Sequence, residues 1–292
     1  MQKLLKKVLL LCLVVGATSC IRGDFRLEDC SYKIKVNLDF INTKPLDEDE
    51  ELVLNVIPSE DPESGKKHTT TVDGTEVELL PDEYEFIAHE PVDNIEVTGN
   101  TVTVEKNPDG SIKEPPKFNG GSIIEKVIPK NDQTVDVPMH MQVRDLIVVI
   151  KFKGEGVPYI KTIDGNLDGI AVSRHINDGF EPVSMVKRPK ATEKGFVLYE
   201  FEENKETSNE FQGINTLLGI DGEGKQTLSL SLDTSLGIVK DYTLDVTSSL
   251  DDFHTVDIHK PWYIVLELEL DVKLEMTLEK WKVGTESDLI AQ

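Results

Sequence analysis

The chain has 292 residues, with 54 acidic against 31 basic side chains and a formal charge of −23. Such a surface repels phosphate backbones, and no Lys/Arg cluster offers a local exception, which excludes nucleic acid as a partner. Three cysteines, two of them within the first 20 residues, exclude a disulfide scaffold, so burial has to hold the fold together.

The first element is an export signal over residues 1–19. Lys3, Lys6 and Lys7 make a positive start, Val8 to Val15 an uncharged apolar run, and Gly16-Ala17-Thr18-Ser19 a small-residue end. The run falls far short of the ~20 residues that span a bilayer core, so it is not a stable transmembrane helix. Ordinary signal peptidase would leave a free soluble chain. Cleavage just before Cys20 would instead leave a thiol and a new amino group to carry acyl chains of the palmitate type. Ala17-Thr18-Ser19-Cys20 resembles a lipoprotein cleavage box, with Ala17 where Leu is more usual. Lipidation of Cys20 is therefore expected. Each buried CH₂ contributes ~0.8 kcal/mol, so two or more chains make a durable anchor. Losing the three leader lysines takes the charge to −26.

Residues 20–30 form the lipidated head and a polar spacer. Arg22-Gly23-Asp24 lies within it and is assigned no function, because a tripeptide recurs by chance and this one adjoins the lipid. Cys30 reads as an inert buried thiol at the head of the first strand.

Strand signals then dominate. In "SYKIKVNLDF", Tyr32, Ile34, Val36, Leu38 and Phe40 alternate with polar residues, the period of a half-buried strand. "ELVLNVI" repeats the pattern. "TEVELLPDEYEFIAHE" places strands on both sides of a turn at Pro81-Asp82. "NIEVTGNTVTVEK" reads as a hairpin about Gly99-Asn100, and "NPDGS" as a further turn. From Ile128 to Gln142 the pattern thins, which suggests a crossing between domains. It resumes in "RDLIVVIKF", "GFVLYEF", "QTLSLSLDT" and "DYTLDVT". "LIVVI" lacks alternation and suits either a strand buried on both faces or a short helix. "NEFQGINTLLGI" is ambiguous, and "SRHINDGFEPVSMV" reads as a loop. The fold class is all-β, two sandwiches in tandem, over 31–137 and 138–292.

The last element is the most regular. "PWYIVLELELDVKLEM" sets Trp262, Ile264, Leu266, Leu268, Leu270, Val272, Leu274 and Met276 on one face. It is longer than the usual five or six residues of a strand. It is either a core strand of the second sandwich or a candidate partner-pairing strand that completes another subunit's sheet.

Catalytic signatures are absent: there is no G-x-S-x-G, H-E-x-x-H, Walker loop or dinucleotide-binding fingerprint. The six histidines are dispersed, and His254, Asp257 and His259 read as solvated residues at a loop-to-strand junction. "DGNLDG" at 164–169 opens like a calcium loop, but its twelfth position is His175 where a bidentate Glu is required, so a turn between strands is expected. Neither metal nor cofactor is expected, and the chain is not read as an enzyme.

Cys20, the charged spacer, "LEDC" at 27–30, "YKIKVNLDF", "VELLPDEYEFIAHE" and "VRDLIVVIKF" followed by "IKTIDGNLDGIAVSRHINDG" together resemble the fimbrillin-like superfamily of outer-membrane lipoproteins of anaerobic Gram-negative bacteria. The likeness is greatest to its fimbrial anchor and minor subunits. It covers most of the mature chain, with Asp82-Glu83 where members commonly have Gly. The resemblance implies two tandem transthyretin-like β-sandwich domains and a structural role at the base of a fimbria (pilus), in assembly and cell adhesion. The implied partners are the outer membrane, reached through N-terminal acyl chains, and other fimbrial subunits. It also implies a lipid-anchored, surface-exposed location. Shaft subunits of the family open a groove when a protease cuts after an Arg. Arg22 and Arg26 both precede the first strand, so cutting there would free the lipid without opening a groove, as befits an anchor or accessory subunit. The alternative is a surface lipoprotein that binds glycans or other nutrients for an outer-membrane uptake system. With two Trp in the chain, the usual aromatic platforms for sugar stacking are scarce.

Overall fold

The computed structural model describes residues 30–286 except 42–46, 48–49, 131, 179–189, 205–206, 208 and 256–258. The described chain is all-β, with packed sheets joined by turns and a few short 3₁₀ segments.

Alternation dictates the first layer. β1 (Tyr32–Phe40) buries Tyr32, Ile34, Val36 and Leu38 and exposes Lys33 and Lys35. It lies between β4 (Thr75–Leu79), antiparallel, and β9 (Gln133–Met141), parallel. β3 (Lys66–Thr70), β2 (Leu52–Pro58), β5 (Asp82–His89) and β8 (Asn119–Val127) form the facing layer in that order. β8 and β9 pair only at Asn119–Met141 and Gly120–His140, so the seven strands fold back on themselves at this corner. The core between the layers includes Ile34, Val36, Leu54, Phe86, Val137 and Met139. Gly121 makes the corner: a Cβ there would lie 1.7 Å from the Pro138 carbonyl oxygen.

The strands expected on both sides of Pro81 are present, as β4 and β5. The link between them is not a hairpin turn, because β4 pairs with β1 whereas β5 pairs with β2 and β8. It carries the chain from one layer to the other. The expected crossing at 128–142 contains β9, with Val135, Val137 and Met139 buried. Pro138 and the polar residues around it hide a strand of only three alternating apolar positions. The expected boundary between 137 and 138 falls inside that strand.

The remaining strands enclose a second core. One sheet has the order β13 (Glu202–Glu203), β14 (Glu210–Leu217), β10 (Arg144–Lys153), β17 (Trp262–Leu270) and β18 (Met276–Gly284). The other has the order β16 (Val239–Asp245), β15 (Thr227–Thr234), β11 (Ile160–His175), β7 (Thr101–Val104) and β6 (Ile95–Thr98). β12 (Glu193–Glu200) lies on the opposite edge of β11 from β15. β10 settles the open reading of "LIVVI". Leu146, Val148 and Ile150 face the main core, while Ile147 and Val149 meet Val265 and Tyr263 on the other face. The ambiguous run at 209–220 forms β14.

The β6–β7 hairpin turns at Gly99-Asn100, where Gly99 has φ 55°, the first position of a type II′ turn. Its strands join β11, with Thr103 opposite Ser173 and Thr101 opposite His175. The segment "DGNLDG" is not a turn but the middle of β11. Gly165 packs under Phe201, and Gly169 (φ 82°) makes a bulge against the Lys225 carbonyl. The glycines mark close backbone approach and a bulge within the strand.

Candidate functional site

Cys20, with Arg22, Gly23, Asp24 and Arg26, lies outside the described residues. The description begins at Cys30, which is half-buried and packs on the first core.

The C-terminal run divides. Trp262, Ile264, Leu266, Leu268 and Leu270 are buried on one face of β17. There the strand stops. Asp271 Oδ1 accepts the backbone N–H of Lys273 and of Glu275, both at 2.8 Å, and Leu274 adopts φ 60°. Val272 stands exposed in this turn, Leu274 is buried in it, and Met276 opens β18 opposite Leu270. Hydropathy alternation passed through the turn unbroken, because Asp271, Lys273 and Glu275 keep the polar parity of a strand. β17 itself is held on both sides, by β10 in parallel and β18 antiparallel, and Trp262 Nε1 donates to the Ser249 carbonyl at 2.9 Å. The edges of this sheet are β18, where Trp281 is exposed, and the two-residue β13 beside β14, so β17 itself presents no edge to a partner strand.

A second surface was invisible in the sequence. The loop at 154–159 meets the end of β17, with Gly156 N–H donating to the Leu270 carbonyl at 2.9 Å. It also meets the β15–β16 turn, with Ser235 N–H donating to the Tyr159 carbonyl at 2.8 Å. This end of the molecule exposes Tyr159, Leu236, Ile238, Val239 and Val272. Only their convergence in space makes them a patch, so no periodicity announced them.

Buried polar groups serve the framework. Arg144 stacks over Phe253 and Trp262, with its guanidinium carbon 5.4 and 5.1 Å from the ring centroids, and it donates to the Lys260 and Phe253 carbonyls. His254 is buried, not solvated as expected, and its Nε2 accepts the Ile220 N–H at 3.1 Å. That nitrogen therefore carries no proton. Asp257 lies outside the described residues, and His259 is exposed. Glu90 is buried beside Asn119, whose Nδ2 donates to Oε1 at 2.6 Å; burial raises its carboxyl above the usual range. Among the described residues, no three His, Cys, Asp or Glu side chains gather as a metal site. What this arrangement offers chemically is strand edges and an apolar end, the means of binding.

No protein-family model and no curated protein matches the sequence. Solved structures do. The fimbrial anchor protein Mfa2 from Porphyromonas gingivalis superposes with a TM-score of 0.61 at 9% identity, over 88% of this chain and 98% of that one. A candidate adhesin from Bacteroides ovatus gives 0.58 at 15% identity, over 78% and 88%. A candidate polysaccharide-binding protein from Bacteroides thetaiotaomicron gives 0.55 at 12%, over 89% and 100%. At these identities the likeness establishes a shared fold, in keeping with the fimbrillin-like resemblance.

Proposed function

We propose that this protein is a lipid-anchored fimbrial subunit of the anchor or accessory kind, acting in assembly and adhesion at the outer-membrane surface. It works by binding, not catalysis. The observation that carries the reading is the place of β1, which lies between β4 and β9 with its apolar face closed into the core. A subunit with its first strand built in has no vacant groove there for another subunit's strand. Likeness of fold to the Mfa2 anchor over most of both chains supports the same role.

The tether is tested by Cys20→Ala in the native host. The variant should move from the membrane to the soluble fraction with its fold unchanged. A variant that stayed membrane-bound would remove the lipid from the proposal. For the role, deletion of the gene should change the number, length or attachment of fimbriae in electron micrographs. Unchanged fimbriae combined with lost glycan binding would favour the second reading, nutrient capture, which draws on the fold shared with the candidate polysaccharide-binding protein.

A further inference from the structure

Every chain crossing between the seven-stranded sheet and the rest of the molecule leaves from one pole. β5 ends at His89, β8 begins at Asn119 and β9 ends at Met141, and the pairings His89–Gly120 and Asn119–Met141 set these ends side by side. Beyond them, the hairpin at 95–104 is paired into the sheet of β11, and Gln142-Val143 leads straight into β10. Arg174 fastens this junction by donating to the carbonyls of Gln142 at 2.7 Å and Leu218 at 2.9 Å. β1 begins at the opposite pole. It runs parallel to β9, with Ile34 opposite Gln133 and Phe40 opposite Met139.

We propose that β1 is a mechanical clamp, loaded in shear when tension acts between the N-terminus and the far half of the molecule. The inference rests on the tether reading above. Pulling on the start of β1 while the end of β9 is held draws the two parallel strands along each other. The seven register pairs from Ile34 to Phe40 then share the load at once, and β4 adds five more on the other edge. Ile34 and Val36 would have to slide through a closed core before the strand released. Peeling the same strands from their adjacent starts would open the pairs one at a time. An anchor that bears the drag of a fimbria needs the first geometry, and the direction of β9 supplies it.

Single-molecule force spectroscopy tests this on the unacylated mature chain, with one handle on Cys20 and Cys30 replaced by Ser. With the second handle at Glu155→Cys, beyond β10, the first rupture should need about twofold or more the force found with the handle at Lys130→Cys, beside the start of β9, since forced unfolding follows the barrier crossed. Equal forces would overturn the clamp. A second arm adds a removable staple. Asn37 and Asp136 face each other across the pair, 2.8 Å apart. In an Asn37→His/Asp136→His variant whose melting temperature nickel raises, nickel should raise the rupture force in the Glu155 geometry, and chelation should reverse it. An unchanged force would place the barrier elsewhere and refute the proposal. Membrane fractionation of Cys20→Ala is independent of both readouts, so loss of the tether and loss of the clamp are separable.

Discussion

Arg174 is 1% exposed, and each of its guanidinium nitrogens points at a backbone carbonyl: Nε at Leu218, one terminal nitrogen at His175 and the other at Gln142. A buried charge that satisfies three carbonyls is costly to remove, because those acceptors would be left in a dry site. Arg174→Met should therefore lose about 3–5 kcal/mol of stability, read from urea denaturation. Glu90 poses the opposite case. Burial raises its folded-state carboxyl, so the folded chain binds a proton more readily than the unfolded one. Stability from this group is present at low pH and is lost as pH rises through the raised value. Glu90→Gln should keep the Asn119 contact and flatten that fall. Denaturation midpoints from pH 4 to 8 would show the variant at least as stable as the parent at the upper end.

Among the strands, legibility depended on what interrupts a pattern. β1 and β15 were plain in the sequence because one face is closed and the other carries polar side chains, so alternation survives intact. β9 was hidden by Pro138, and the end of β17 by a turn whose Asp271, Lys273 and Glu275 preserve strand parity. The hairpin at Gly99-Asn100 was legible because its turn demands a residue tolerant of positive φ. What it pairs with was not legible, since the partner strand lies 70 residues on and no local signal encodes it. The apolar end formed by Tyr159, Leu236, Ile238, Val239 and Val272 was hidden for the same reason. Sheet corners are equally silent in the sequence, yet they are strongly constrained. Gly121→Ala would push a methyl into the Pro138 carbonyl and should cost about 2–3 kcal/mol, with the β8–β9 corner opening first in hydrogen exchange.

At the scale of the molecule, the two cores are tied together by more than a linker. Ile87, Val102, Val104 and Phe118 precede β9 in the chain yet belong to the second core. A fragment ending at residue 141 should keep the first core but leave these side chains bare. Limited proteolysis is then expected to cut within residues 91–118 of the fragment while sparing the same stretch in the whole chain. Protection of that stretch in the fragment would show that the hairpin stands without β11.

The same hairpin sets an order of events as the chain is made. A chain made from its N-terminus delivers β1 first, then the hairpin, yet β1 waits for β9, almost 100 residues behind it, and the hairpin waits for β11. Neither wait can end by local pairing alone. The hairpin therefore stays unpaired with its sheet until residue 175 has followed, even once the first core has closed with β9. Shielding of nascent strands would suit this topology, and the net acidic charge of the chain disfavours adhesion between such intermediates.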